Sequence, residues 1–264
     1  MLTWSAATDV GRLRDRNEDA YAIFQLPPPV GGHVFVVADG MGGRRAGHVA
    51  SRLAVGALRA HLTRWSLRAA ETPAPEAAVA ALAAGVRAAH RSLLDYVQRY
   101  PECSGMGTTL TAVRVTPTQY QYAHVGDSRL YLLRQGALRQ LSRDHALVAD
   151  LLRSGQITEQ QARQHPQRHV LTQALGQEGD VEVDGGAGFI DAGDWLILCT
   201  DGLTSVLTDA ELEARAAEAR GDPAQWLVEL ANRRGGPDNI TVIVIRPGGP
   251  AAAGRTAAQG GGPA

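Results

Sequence analysis

Four aspartates each stand beside a glycine or an asparagine at one end of an apolar run: Asp39 in HVFVVADGMGG, Asp127 in YAHVGDSR, Asp201 in WLILCTDGL and Asp238 in GGPDNITVIVI. Strands driven through a core, each with a carboxylate left at one end, build a single acidic site. Carboxylates gathered that closely repel, and burial makes each anion costlier. They take up protons or spread apart unless a cation neutralises them, so the pattern predicts a metal centre. An all-oxygen ligand set suits magnesium, manganese or calcium. At Asp39-Gly40 the glycine lets the backbone turn sharply, so that its carbonyl can also face a cation. One Asp-Gly pair alone reads as a hairpin turn. Asp238-Asn239 alone reads as a turn before a strand, and Asp127 as a turn acid paired with Arg129. The four together favour the site.

The polar turn GRLRDRNED adds Arg14, Arg16, Glu18 and Asp19. The pair Glu18-Asp19 could hold metal-bound waters as an outer layer of the site. An arginine there could clamp phosphate through two parallel hydrogen bonds. A solvated, charged loop is the plain alternative. Chemistry of other kinds is excluded. Every basic residue is arginine, so Schiff-base chemistry and a phosphate-loop lysine are ruled out. Neither of the two cysteines, Cys103 and Cys199, opens a Cys-X₅-Arg motif, and no His/Cys cluster has zinc spacing. Cys199 lies in the apolar run WLILCT and reads as a buried thiol. No Asp-rich twelve-residue loop ending in glutamate supports a structural calcium domain.

The 264 residues carry a net charge of −1, which gives no electrostatic basis for binding nucleic acid or a membrane surface. The N-terminus lacks the basic and apolar regions of a signal peptide. No apolar stretch approaches the roughly 20 residues of a membrane span. The expectation is a soluble, cytoplasmic protein.

Hydrophobic patterning supplies the elements that must position the aspartates. Residues 3–8 and 20–26 read as strands around the polar turn, and 33–39 as a buried strand. Residues 45–65 have helical spacing. Pro75 suits a helix start, and the alanine-rich run to Tyr100 a long helix. Strands follow at 108–115, 119–125, 129–134 and 138–142. Residues 144–165 read as two short helices, the second capped by Thr158. Residues 181–189 and 194–200 read as strands. Helices at 208–219, capped by Thr208 or Asp209, and 223–234, capped by Asp222, precede a closing strand at 239–246. The tail 247–264 is rich in Gly, Ala and Pro, has nothing to bury and reads as disordered. Strands in runs and helices in blocks point to α+β, two packed sheets with helices outside.

The chain resembles the metal-dependent serine/threonine protein phosphatases of type 2C (PPM), of the compact bacterial kind. The resemblance runs from about Thr8 to Arg246. Its motifs are TDVGRLRDRNEDA, VVADGMGG, SGMGTTLTA, HVGDSRLYLL, the stretch from LRQLSRDHALV to RHVLTQALG, CTDGL and GGPDNITVIVI. It implies a catalytic domain over 1–246, a β-sandwich of two antiparallel sheets flanked by helices on both outer faces, with a flap at about 142–176 beside a dinuclear Mn²⁺ or Mg²⁺ centre. By motif position Asp39 bridges the two metals, and the Gly40 carbonyl binds one of them. Asp201 and Asp238 bind the other. Glu18 and Asp19 act through metal-bound waters, and Asp127 with Asp201 matches a third, weaker site. Arg14 falls at the phosphate-binding arginine; Arg16 does not. The implied reaction is direct attack of a metal-bridging hydroxide on phosphoserine or phosphothreonine, by a monomer that opposes a serine/threonine kinase. Implied partners are phosphorylated proteins, that kinase and its targets among them, with no nucleic acid and no membrane.

Two positions depart from the pattern: Met41 and Arg44 stand where relatives carry histidines, which leaves the general acid unassigned. His48 is a weak substitute and reads rather as a surface helix residue; a metal-bound water could supply the proton instead. His124 reads as structural, and His145 and His165 as packing or solvent residues of the flap. The rival readings are a non-catalytic phosphoprotein-binding scaffold and a metallohydrolase acting on phosphodiesters.

Overall fold

Among the described residues twelve strands pair, all antiparallel, and the alternation within them builds four layers. The computed structural model describes residues 2–42, 46–216 and 221–248. One sheet has the order β1-β12-β11-β8-β9 and the other β10-β7-β6-β3-β2. In the first, β1 is Leu2–Asp9, β8 Arg129–Arg134, β9 Ala137–Gln140, β11 Trp195–Cys199 and β12 Ile240–Pro247. In the second, β2 is Ala20–Gln25, β3 His33–Ala38, β6 Leu110–Val115, β7 Gln119–Val125 and β10 Asp184–Phe189. A two-residue ladder joins β4 (Gly40–Met41) to β5 (Gly107–Thr108).

The near-continuous apolar runs follow from burial on both faces. In β3, Phe35 and Val37 point between the sheets, with Val113, Leu196, Leu198, Ile243 and Ile245. Its other side chains, Val34, Val36 and Ala38, pack against Leu58 and Leu62 of α1 (Gly47–Arg68) and Leu82 and Val86 of α2 (Pro75–Arg99). Strand β12 does the same with opposite partners. Ile243 and Ile245 enter the sandwich, while Val242 and Val244 meet Leu227 and Val228 of α7 (Pro223–Arg233). The central residues of β3 and β12 are therefore removed from water on one side or the other, at roughly 25 cal/mol per Å² of apolar surface.

The short helices follow their caps. The Thr158 hydroxyl accepts from the Gln161 amide in a full capping box at α4 (Glu159–Gln164), and Asp222 caps α7. At α6 (Asp209–Ala216) the Thr208 hydroxyl accepts from the Glu211 amide at 3.1 Å and Glu211 returns to the Thr208 amide at 2.9 Å, which decides between Thr208 and Asp209 as cap. Together with α3 (Leu147–Arg153), α4 forms the helical part of segment 142–176.

Several boundaries differ from the sequence expectation. Residues 181–183 lie outside β10, which begins where Asp184 finds His124 as its ladder partner. Asp201 opens a single helical turn, α5 (Asp201–Thr204), which the sequence reading did not include. Pro247 ends β12 opposite Leu2 instead of opening the tail. The remaining tail, Arg44 and the last residues proposed for the 208–219 helix lie outside the described residues. Both cysteines are free.

Strand register brings the site together. The end of β3 lies beside the start of β6, with Val37 opposite Thr111. The end of β7 lies there too, with Val125 opposite Leu110. In the other sheet Arg129, at the start of β8, faces Cys199 at the end of β11, which in turn faces Val242 near the start of β12. Asp39, Asp127, Asp201 and Asp238 all flank these termini, so antiparallel pairing delivers them to one end of the sandwich. Asp9, at the end of β1, pairs with Ile240, and that contact lays the Arg14 loop beside Asp238.

Candidate metal centre

A cleft of about 540 Å³ opens at that end of the sandwich, lined by Arg14, Glu18, Asp39, Gly40, Asp127, Asp201 and Asp238 among others. Seven of the eight residues singled out in the sequence thus share one wall. Asp19 does not reach it. Its Oδ2 accepts from the hydroxyls of Thr200 at 2.8 Å and Thr241 at 2.6 Å, behind the cleft, and its Oδ1 has no partner.

Backbone hydrogen bonds fix the positions. The Asp39 amide donates to Thr109 Oγ1 at 2.9 Å, and the Asp39 carbonyl accepts from the Thr109 amide at 2.9 Å and the Thr108 hydroxyl at 2.8 Å. Thr109 Oγ1 also meets Ser128 Oγ at 2.7 Å, so the Asp39 and Asp127 turns share a brace. Gly40 packs so closely that a methyl group there would strike the carbonyl oxygens of Glu18 and Gly47. The Glu18 carboxylate sits against Gly47 at the first turn of α1, the positive end of that helix.

Asn239 organises the loop between β1 and β2. Its Oδ1 accepts from the Glu18 amide at 2.8 Å, and its Nδ2 donates to the carbonyls of Val10 and Arg16, both at 2.9 Å. Sequence reading missed Asn239, Thr109 and Ser128. Only the Pro-Asp-Asn-Ile spacing before β12 hinted at Asn239, as a turn residue.

The electrostatics are those of crowded anions. Desolvation, then repulsion from Asp19 and Asp201, holds Asp39 well above the ordinary carboxylate value of 3.8. Burial followed by Asp201 and Asp144 does the same to Asp127. Burial followed by Asp238 raises Asp201. Asp19 is pushed up to about 7, first by burial. Asp201 Oδ1 is buried without a partner. The donor set is all oxygen. A hard divalent ion fits this combination.

Among the described residues no three Asp, Glu, His or Cys side chains converge as a ready-made cage. Magnesium needs none, since it keeps several waters and takes one or two carboxylates. Arg14 Nη2 holds Asp238 Oδ2 at 2.8 Å, so the one guanidinium assigned to phosphate here neutralises a carboxylate. Asp127 is not paired with Arg129. That guanidinium grips Asp144 at 2.7 Å and Asp209 at 3.2 Å, tying β8 to the base of segment 142–176 and to α6.

The histidines considered in the sequence stand away from the carboxylates. His48 contacts Arg16 Nη1 at 3.2 Å. His124 is buried between Thr111 and the Gly126 carbonyl and is pushed down to about 4, first by desolvation. His145 Nδ1 accepts from the Gly126 amide at 3.3 Å. His165 accepts from the Gln167 amide at 3.1 Å. Met41 does line the cleft. Cys199 is buried and its thiol is pushed up to about 12, which makes it inert as a nucleophile.

The chain belongs to the protein phosphatase 2C family, whose model matches residues 14–232. It is 39% identical over 240 residues to the serine/threonine phosphatase stp of Listeria innocua, covering 90% of this chain and 93% of that protein. Its fold superposes on the serine/threonine phosphatase of S. agalactiae with a TM-score of 0.84 at 35% identity, over 93% of this chain and 99% of that one. The catalytic domain of the serine/threonine protein phosphatase PstP, solved in complex with 2 manganese ions, matches with a TM-score of 0.77 at 35% identity, over 93% of this chain and 97% of that one.

Two predictions follow from the geometry. Asn239→Ala leaves the Glu18 amide and two loop carbonyls unpaired. It lowers stability by about 1–3 kcal/mol and weakens manganese binding, measured by urea unfolding and calorimetry; unchanged values in both would contradict the bracing role. The second concerns pH. Carboxyls raised in the native state bind protons more tightly there than when unfolded, so their stabilisation is full below about pH 4 and is lost as pH climbs toward about 7. Metal affinity rises over the same range as ligands deprotonate. The gap in Tm between manganese-saturated and chelator-treated protein therefore widens from about pH 4 to about pH 7. A constant or narrowing gap would count against the acidic cluster.

Proposed function

We propose that this chain is a metal-dependent protein serine/threonine phosphatase, and that Asp39, Gly40, Asp201 and Asp238 hold its two catalytic cations. The observation that carries this reading is the meeting of four strand-end aspartates, Glu18 and Arg14 on one cleft in a chain of the protein phosphatase 2C family. Asp39 and the Gly40 carbonyl would hold one ion, with Asp39 near enough to be shared with the other. Asp201 and Asp238 take the second ion. Glu18, and Asp19 from behind, act through ordered waters. Asp127 with Asp201 forms a third, weaker site. Manganese and magnesium both suit these oxygens.

Hydrolysis of a phosphate monoester needs up to about 10²¹-fold acceleration, and proximity supplies only about 7–11 kcal/mol. Two bound divalent cations supply the remainder, by making water nucleophilic at neutral pH and by neutralising phosphoryl oxygens. The chain's own residues do the rest. Asp39 and Asp201 fix where charge is neutralised, because the Thr108–Thr109 brace and the α5 turn hold them. Arg14 exchanges its hold on Asp238 for the phosphoryl oxygens, as a charge-assisted clamp. Segment 142–176 stands beside the cleft as a flap and limits access.

The substrates are phosphorylated proteins. We assign a serine/threonine kinase and its targets as the specific ones, and a monomer acting in the cytoplasm, where ATP-dependent kinases make such phosphates. No helix among the described residues is long and apolar enough to cross a membrane.

One experiment tests the site. Asp201→Asn abolishes manganese-dependent phosphate release from a phosphothreonine peptide, with circular dichroism unchanged. Arg14→Ala lowers kcat/KM on that peptide about 10- to 100-fold and leaves manganese affinity equal or tighter, because Asp238 is set free. Full activity in Asp201→Asn, or parallel loss of turnover and metal binding in Arg14→Ala, overturns these assignments.

A further inference from the structure

Cleavage of a phosphoserine or phosphothreonine ester expels an alkoxide, a far stronger base than water's neighbours in the cleft can tolerate. Some group must deliver a proton to it, and general acids contribute about 10²–10⁴-fold. Arginine keeps its protons, and carboxylates beside cations favour the charged form. An imidazole is the natural donor. Of the eight histidines in the chain, His169 lines the cleft and the other seven do not.

We propose that His169, presented from segment 142–176 on the cleft that Asp201 also lines, is the general acid that protonates the departing Ser or Thr oxygen. The proposal rests on the phosphatase reading above. Position supports it. His169 is exposed, yet the backbone that follows is pinned. The Leu147 amide donates to the Val170 carbonyl at 2.9 Å, and the Thr172 amide to the His145 carbonyl at 2.9 Å. His145 in turn donates its amide to the Gly126 carbonyl at 2.7 Å, next to Asp127. The backbone beside His169 is therefore tied to the turn that carries Asp127. Leu171, two residues on, lines the same cleft and gives the leaving side chain an apolar flank.

The step balances. A water oxygen bonds to phosphorus as the bond from phosphorus to the Ser or Thr Oγ breaks. The electron pair of that bond passes to Oγ, which takes the proton of the His169 imidazolium. The attacking water keeps one hydrogen in the product phosphate and sheds the other to solvent, from which His169 is reprotonated. The placement also accounts for Met41, which lines the cleft without a proton to give.

The test compares leaving groups. p-Nitrophenolate is a stable anion and departs without a proton, whereas a threonine alkoxide does not. With manganese, kcat of His169→Gln falls on a phosphothreonine peptide by about 100-fold or more. Its fall on p-nitrophenyl phosphate is at least ten times smaller. Manganese affinity by calorimetry matches the parent protein, and in the magnesium-loaded parent inorganic phosphate shifts the His169 ring resonances. Equal losses on both substrates, an unaltered rate on the peptide, or loss of manganese binding in the variant would each overturn the proposal. Failure of the parent protein to turn over either substrate would instead refute the phosphatase reading.

Discussion

Mutual repulsion among carboxylates that the fold cannot let apart is the constraint on which the rest depends. Asp39, Asp127 and Asp201 are all held above their ordinary range by burial and by one another. None can relax by moving away, because their backbones are committed to ladders and braces. The Asp39 turn is fixed by Thr108 and Thr109, and Asp201 opens a helical turn directly after β11. A protein that stores anionic repulsion in this way is preorganised for cations. Binding then releases strain that folding imposed, and the same carboxylates fix where positive charge stands when phosphate arrives.

The sandwich supplies the rigidity. Largely apolar strands such as β3 and β12 bury one set of side chains between the sheets and the other under helices. A one-residue slip would exchange the two sets and displace the aspartate at the strand end. Core packing and site geometry are thus the same constraint seen at two places along each strand. The pairing of β1 with β12 extends it to the Arg14 loop, which Asn239 anchors from the far end of the chain.

Much of this was legible in the sequence because the signals are local. An apolar run ending in Asp-Gly announces both a strand and a carboxylate at its tip, and Asp39, Asp201 and Asp238 lie where that reading puts them. Caps at Thr158 and Asp222 were legible for the same reason. What stayed hidden depends on distant partners. Asn239 looks like a turn residue until β12 folds against β1 and its amide meets Val10 and Arg16. Thr109 and Ser128 are ordinary strand polar residues until their hydroxyls meet. Asp19 reads as a twin of Glu18, yet alternation turns it behind the cleft onto Thr200 and Thr241. His169 sits in a polar stretch with no periodicity, and only the fold of segment 142–176 carries it to the carboxylates.

The central claim is that divalent ions occupy this acidic end of the sandwich. Crystals soaked in manganese chloride and measured at the manganese absorption edge test it directly. The account predicts two strong anomalous peaks in the cleft, one against Asp39 and the Gly40 carbonyl and one against Asp201 and Asp238, with Arg14 withdrawn from Asp238. A cleft without anomalous density at saturating manganese, with Arg14 still bound to Asp238, would contradict it.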